Sequence, residues 1–77
     1  MIKYTRHAKR RMKLYEITEA EIKAAIELGK KTKAGEVKLE FVHNVNNRKL
    51  PLKVVCKIVD NDYLIITCYP LKKGIKK

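Results

Sequence analysis

Hydrophobic and polar positions along the chain change period once, near residue 35, and the two halves predict different elements. From Arg6 to Leu14 the apolar positions recur at helical spacing, with Thr5 as a side-chain cap for the first amides. Ile17-Thr18-Glu19-Ala20-Glu21 then carries a second helix start. Thr18 and Glu21 stand in capping-box spacing, and Ile17 and Ile22 are placed as a hydrophobic staple. This second helix runs to about Leu28, buries Ile22, Ala25 and Ile26, and stops at Gly29. Met1 to Tyr4 reads as an extended lead-in or a minor edge strand, and Lys30 to Gly35 as a basic connector.

Beyond the connector the period is two. Glu36 to Val42 places Val37, Leu39 and Phe41 on one face and Glu36, Lys38 and Glu40 on the other. Asn44 to Arg48 supply turn residues, and Pro51 restricts the next strand to starting after it. Leu52 to Val59 and Tyr63 to Tyr69 are further strands around Asp60-Asn61-Asp62. A three-residue turn pairs Val59 with Tyr63 and gathers Val54, Cys56, Ile58, Leu64, Ile66 and Cys68 on one apolar face. A two-residue turn mixes the faces, so three is the expectation. The opposite face then carries Lys53, Lys57, Tyr63, Thr67 and Tyr69, with Val55, Val59 and Ile65 among them. The expected fold is a single α+β domain over residues 1–77. Two N-terminal helices pack on one face of a small three- to four-stranded antiparallel sheet, and a basic tail begins at about residue 71.

Composition adds little to this outline and charge a great deal. The chain has 77 residues, 45% of them hydrophobic, with no tryptophan and one phenylalanine, so its core is aliphatic. Nineteen lysines and arginines against eight acids leave +11. Such a field attracts polyanions, which puts nucleic acid, RNA foremost, ahead of an acidic protein partner and of an anionic membrane. Lysine-rich surfaces also serve solubility alone. Cys56 and Cys68 lie in apolar runs without metal-ligand spacing, as in a reduced cytoplasmic protein. No stretch has the length or apolarity of a signal or membrane span. No metal or cofactor motif is present, and no glycine-rich phosphate loop or nucleophile elbow.

The densest chemistry is Tyr4-Thr5-Arg6-His7-Ala8-Lys9-Arg10-Arg11-Met12. At 3.6 residues per turn His7, Arg11 and Leu14 share a face beside Ala8, Met12 and Tyr15. Arg11 thus falls in the middle of the expected apolar stripe, where a charge needs a partner, a snorkelling stem or a use. His7 has the titration range of a general base or acid, and Arg11 can hold a phosphate bidentately, so these are the candidate catalytic pair for metal-independent RNA cleavage. A histidine on such a face is more often a core residue with satisfied nitrogens. Arg6, Arg10, Lys53, Lys57, Tyr63 and Tyr69 are the candidate nucleic-acid contacts, through phosphates and base stacking. His7 belongs to a helix on the apolar face, whereas Lys57 and Tyr69 point away from it, so one common site is not expected.

The order HAxxRM, then Ile-Thr before a capped helix, resembles a family of small bacterial and archaeal proteins of uncharacterised function grouped with RelE/ParE/BrnT-like toxins. The matching residues are His7-Ala8, Arg11-Met12, Ile17-Thr18, Ala25-Ile26 and Gly29, with Leu64 to Tyr69 as the closing strand. Where members often carry Arg-Gly before the Ile, this chain has Tyr15-Glu16. The resemblance implies an α+β fold of RelE-like shape, like that of the RelE-group ribonucleases, and no settled activity. Toxin-type ribonuclease chemistry and a protein-interaction module neutralised by an acidic antitoxin-like partner are the hypotheses that stand beside plain nucleic-acid binding.

Overall fold

A computed structural model describes residues 1–44 and 49–71. In chain order it holds β1 (Ile2–Tyr4), α1 (Arg6–Tyr15), α2 (Glu19–Leu28), β2 (Lys30–Lys33), β3 (Lys38–His43), β4 (Leu52–Val59) and β5 (Asp62–Pro70). Most of the expected turn over residues 44–48 and the lysine tail after Leu71 lie outside the described residues.

The strands form one sheet in the order β1-β5-β4-β3-β2. The expected three- to four-stranded antiparallel sheet is therefore corrected to a five-stranded mixed one, because β1 runs parallel to β5. The basic connector is also corrected. Lys30–Lys33 pairs antiparallel with β3 as an edge strand with all four residues exposed. No apolar alternation marks it, since neither face is buried, and lysine suits an edge by opposing further strand addition. The N-terminal ammonium and Lys3 both reach Asp62, at 3.2 and 3.4 Å, and pin the short β1 to the start of β5.

Both helices lie on one face of the sheet. Thr5 caps α1, its hydroxyl accepting from the Ala8 amide at 3.0 Å. Its N–H donates to the Ile65 carbonyl at 3.1 Å, and its hydroxyl proton is shared between the Ile65 and Ile66 carbonyls at 3.0 and 3.1 Å. The same residue thus starts α1 and ties it to β5. Ala8 is fully buried, with Met12 and Tyr15 packed against the core, while Leu14 is 65% exposed. The buried stripe therefore runs through Ala8 and Tyr15, which leaves Arg11 on its flank and corrects the apolar face assigned to Leu14. In α2 the Thr18–Glu21 capping box forms as expected. Ile17 and Ile22 are both buried in the core. Gly29 ends the helix in an extended conformation, without the left-handed geometry usual for a terminal glycine. Glycine is needed there for space: a Cβ would press on the Ala25 carbonyl and come within 2.9 Å of the Val42 carbonyl.

The β4–β5 hairpin closes with two residues, which corrects the three-residue turn. Val59 pairs with Asp62, and Asp60 and Asn61 both have left-handed φ, at 51° and 68°. Turns of this type match the right-handed twist of the strands they join. The extra residue sits inside β5: Val55 pairs with Thr67 and Cys56 with Ile65, so Ile66 is a bulge. Past the bulge the phase of β5 reverses. Ile65 is fully buried, and Tyr63 packs edge-on to Phe41 with ring centroids 6.2 Å apart. Leu64 and Ile66, expected in the core, are only partly buried, and Ile58 at the far end of β4 is 40% exposed. Val54, Cys56 and Cys68 lie in the core as expected, with Leu39, Phe41 and Leu52.

Candidate nucleic-acid interface

The ten residues of α1 include no acid, and Arg6, His7, Lys9, Arg10 and Lys13 are all exposed. Arg6, Lys9, Arg10 and Lys13 lie opposite the Ala8–Tyr15 stripe that meets the sheet, so they form an outward basic ridge. Along its flank runs a ladder at four-residue spacing. The Arg11 Nε–H donates to His7 Nε2 and its terminal guanidinium nitrogen to the Tyr15 hydroxyl, both at 3.4 Å. Those are long contacts, readily exchanged for a ligand oxygen. The Nε2 lone pair of His7 is engaged by the Arg11 N–H and is exposed to a ligand proton once that long contact opens. The predicted pair His7 and Arg11 is thus brought together at the surface, and His7 is not a core histidine. Tyr15 was missing from the predicted set, although its spacing of eight from His7 is legible in the sequence.

The other predicted contacts are divided. Cross-strand neighbours share a face, so the register maps the side of the sheet away from the helices into rows. One row is Lys3, Leu64, Lys57 and Lys38; another is Tyr69, Lys53, Val42 and Lys30. Between them lie Thr67, Val55, Glu40 and Thr32. Lys53 and Tyr69 therefore share the open face with Lys57, as expected. Lys53 is engaged within the sheet: its ammonium meets Glu40 at 3.1 Å. That hydrogen bond, reinforced by Tyr69, raises the pKa of Lys53 against the opposing effect of burial. Tyr63 is corrected. The bulge turns it to the helix side against Phe41, away from the other candidates. His7 and Arg11 stand on the opposite side of the sheet from Lys57 and Tyr69, so the two groups form separate surfaces.

An open cleft of about 690 Å³ lies between α2 and the β1 edge, lined by Ile2, Tyr4, Tyr63, Ala20 and Ile26 with Glu19, Lys23 and Glu27 on its rim. Burial, and then the negative charge of Glu19, push the Tyr4 phenol up. Sequence reading has no signal for this cleft, because separate elements each supply part of it. Among the described residues no cluster of three or more His, Cys, Asp or Glu is placed to hold a metal ion. No helix among them is long and apolar enough to cross a membrane.

Neither the curated proteins nor the solved structures yield a match to the chain. A family model does match, from Tyr4 in β1 to Pro70 at the end of β5, and so takes in both helices and the whole sheet core. With residues 4–70 covered, the chain belongs to the family described as a domain of unknown function (DUF4258).

Proposed function

We propose that the protein binds nucleic acid, RNA foremost, through the outward face of α1. The observation that carries this reading is a helix without an acidic residue that turns Arg6, Lys9, Arg10 and Lys13 to solvent. Phosphates neutralised by such a ridge release counterions, which gives strong but sequence-tolerant affinity. The element order, with two helices on one face of a sheet, is in keeping with the RelE-like shape that the HAxxRM resemblance implies. Two buried thiols outside any disulfide suit a reducing cytoplasm.

The sharper form of the reading is a metal-independent endoribonuclease. His7 Nε2 takes the proton of a ribose 2′-hydroxyl, and the 2′-oxygen forms a bond to the adjacent phosphorus. The bond from phosphorus to the 5′-oxygen breaks, and that oxygen takes a proton from water. Arg11 stands beside the developing charge on the phosphoryl oxygens. The products are a 2′,3′-cyclic phosphate and a 5′-hydroxyl.

The test is binding and cleavage of a mixed RNA pool, without metal, by the wild type and by His7→Ala. Affinity falling by orders of magnitude between about 50 and 200 mM salt supports the binding reading. Salt-independent binding overturns it. Cyclic-phosphate ends that appear with the wild type and vanish with His7→Ala, at equal RNA affinity, support the nuclease. Binding without cleavage leaves a non-catalytic module. Tight capture of an acidic antitoxin-like protein by a chain that ignores RNA favours the protein-interaction reading instead.

A further inference from the structure

The open face of the sheet breaks a rule of strand pairing. Lys38 and Lys57 stand directly opposite each other on β3 and β4. Like charges in that position repel. Neither is in a salt bridge among the described residues; Glu40 is engaged with Lys53 and Asp62 with Lys3 and the N-terminus, and Glu36, two residues before Lys38, is a further exposed acid nearby. Lys57 is flanked on its other side by Leu64, and Lys3 follows on β1, so the row Lys3-Leu64-Lys57-Lys38 crosses four strands. Neighbouring strands are about 4.8 Å apart, so Lys38 and Lys57 stand side by side on adjacent strands, with the Asp62-paired Lys3 two strands beyond Lys57. Like charges held side by side without an ion pair leave room for compensation by a partner from outside. Here that partner is an anion, and for a chain of net charge +11 nucleic acid is the leading class of polyanion.

This row faces away from α1. The Arg6–Arg10 ridge points outward from the helix layer and Lys38–Lys57 from the bare side of the sheet, across a molecule whose shortest dimension is 17 Å. One strand cannot follow both surfaces without wrapping an edge, and at 17 Å two backbones on opposite faces are separated by more than a Debye length at ordinary salt. We infer that the open sheet face, centred on Lys38 and Lys57, is a second nucleic-acid-binding surface, so that one molecule joins two segments of nucleic acid. This rests on the α1 reading for its first surface and adds the second.

The experiment mixes donor-labelled and acceptor-labelled short single-stranded RNAs with the full chain at low salt. Energy transfer is read alongside the number of oligonucleotides bound per protein. The expected result is transfer that rises and then falls as protein is added in excess, with two oligonucleotides per molecule at saturation. The Lys38→Gln/Lys57→Gln variant removes the repulsion and so melts no lower than the wild type. In that variant transfer returns to the protein-free baseline and stoichiometry drops to one. Arg6→Gln/Arg10→Gln loses transfer in the same way, because either surface alone holds one segment. One oligonucleotide per wild-type molecule, or transfer that survives Lys38→Gln/Lys57→Gln, overturns the second surface and leaves the α1 reading standing. A wild type that binds no oligonucleotide overturns both.

Discussion

Gly29 shows how little of a residue's role follows from its type. Its place after Leu28 suggests a left-handed helix stop, yet its φ of −75° is open to any residue. What excludes a side chain is the Ala25 carbonyl behind it and the Val42 carbonyl and His43 Cβ in front, at 2.9 and 3.1 Å. Gly29→Ala is therefore expected to cost about 1–3 kcal/mol through overpacking. An unchanged thermal midpoint would show that the α2–β3 contact relaxes freely. Arg11 is the converse case. Helical spacing places it in the middle of the expected apolar stripe and shows the need for a partner, whereas the turn of the helix on the sheet moves it to the flank. That the partners are His7 Nε2 and the Tyr15 hydroxyl, both on its own helix, follows from which way the helix is turned on the sheet.

At the scale of elements, the strongest signals were the ones satisfied within a few residues. The α2 start formed as expected because Thr18, Glu21, Ile17 and Ile22 complete each other within one turn. The strands were harder. β2 carries no apolar period because its lysines are exposed on both faces, and only its pairing with β3 makes it a strand. In β5 the bulge at Ile66 exchanges Leu64 and Ile66 for Tyr63 and Ile65 as the inward residues, an outcome that strict alternation cannot express. The bulge carbonyls are also where Thr5 fastens α1, so a feature of one element sets the position of another. Thr5→Ala removes the cap and the hydroxyl's share of the tether, leaving the backbone bond to Ile65, and is expected to cost about 1–2 kcal/mol. Thr5→Ser keeps the hydroxyl and should recover most of it. Equal denaturation midpoints for Ala and Ser would mean that the hydroxyl contributes nothing.

At the scale of the whole molecule, the core gathers around Cys56 and Cys68, each fully inaccessible, and its integrity can be followed through them. Burial pushes the Cys56 thiol from its usual value near 9 up to about 11. The folded state therefore holds the neutral thiol while the unfolded chain ionises. The associated stability is fully present below about pH 9 and lost as pH rises towards 11. Denaturation curves of the wild type should slope downward across that window, and less steeply for Cys56→Ala, whose lost volume lowers stability equally at every pH. Parallel curves would place the alkaline sensitivity elsewhere. What the sequence by itself determined was local or additive: the α+β class, the capped second helix, the basic first helix with its His7–Arg11 stripe, and a net charge suited to polyanions. Tertiary structure alone decided the β2 edge strand, the parallel pairing of β1, the phase of β5 and the turning of Tyr63 against the core. Caps, periods and charge act over a few residues or sum over all of them. Register and facing depend on which distant backbones pair, and one bulged residue is enough to reverse them.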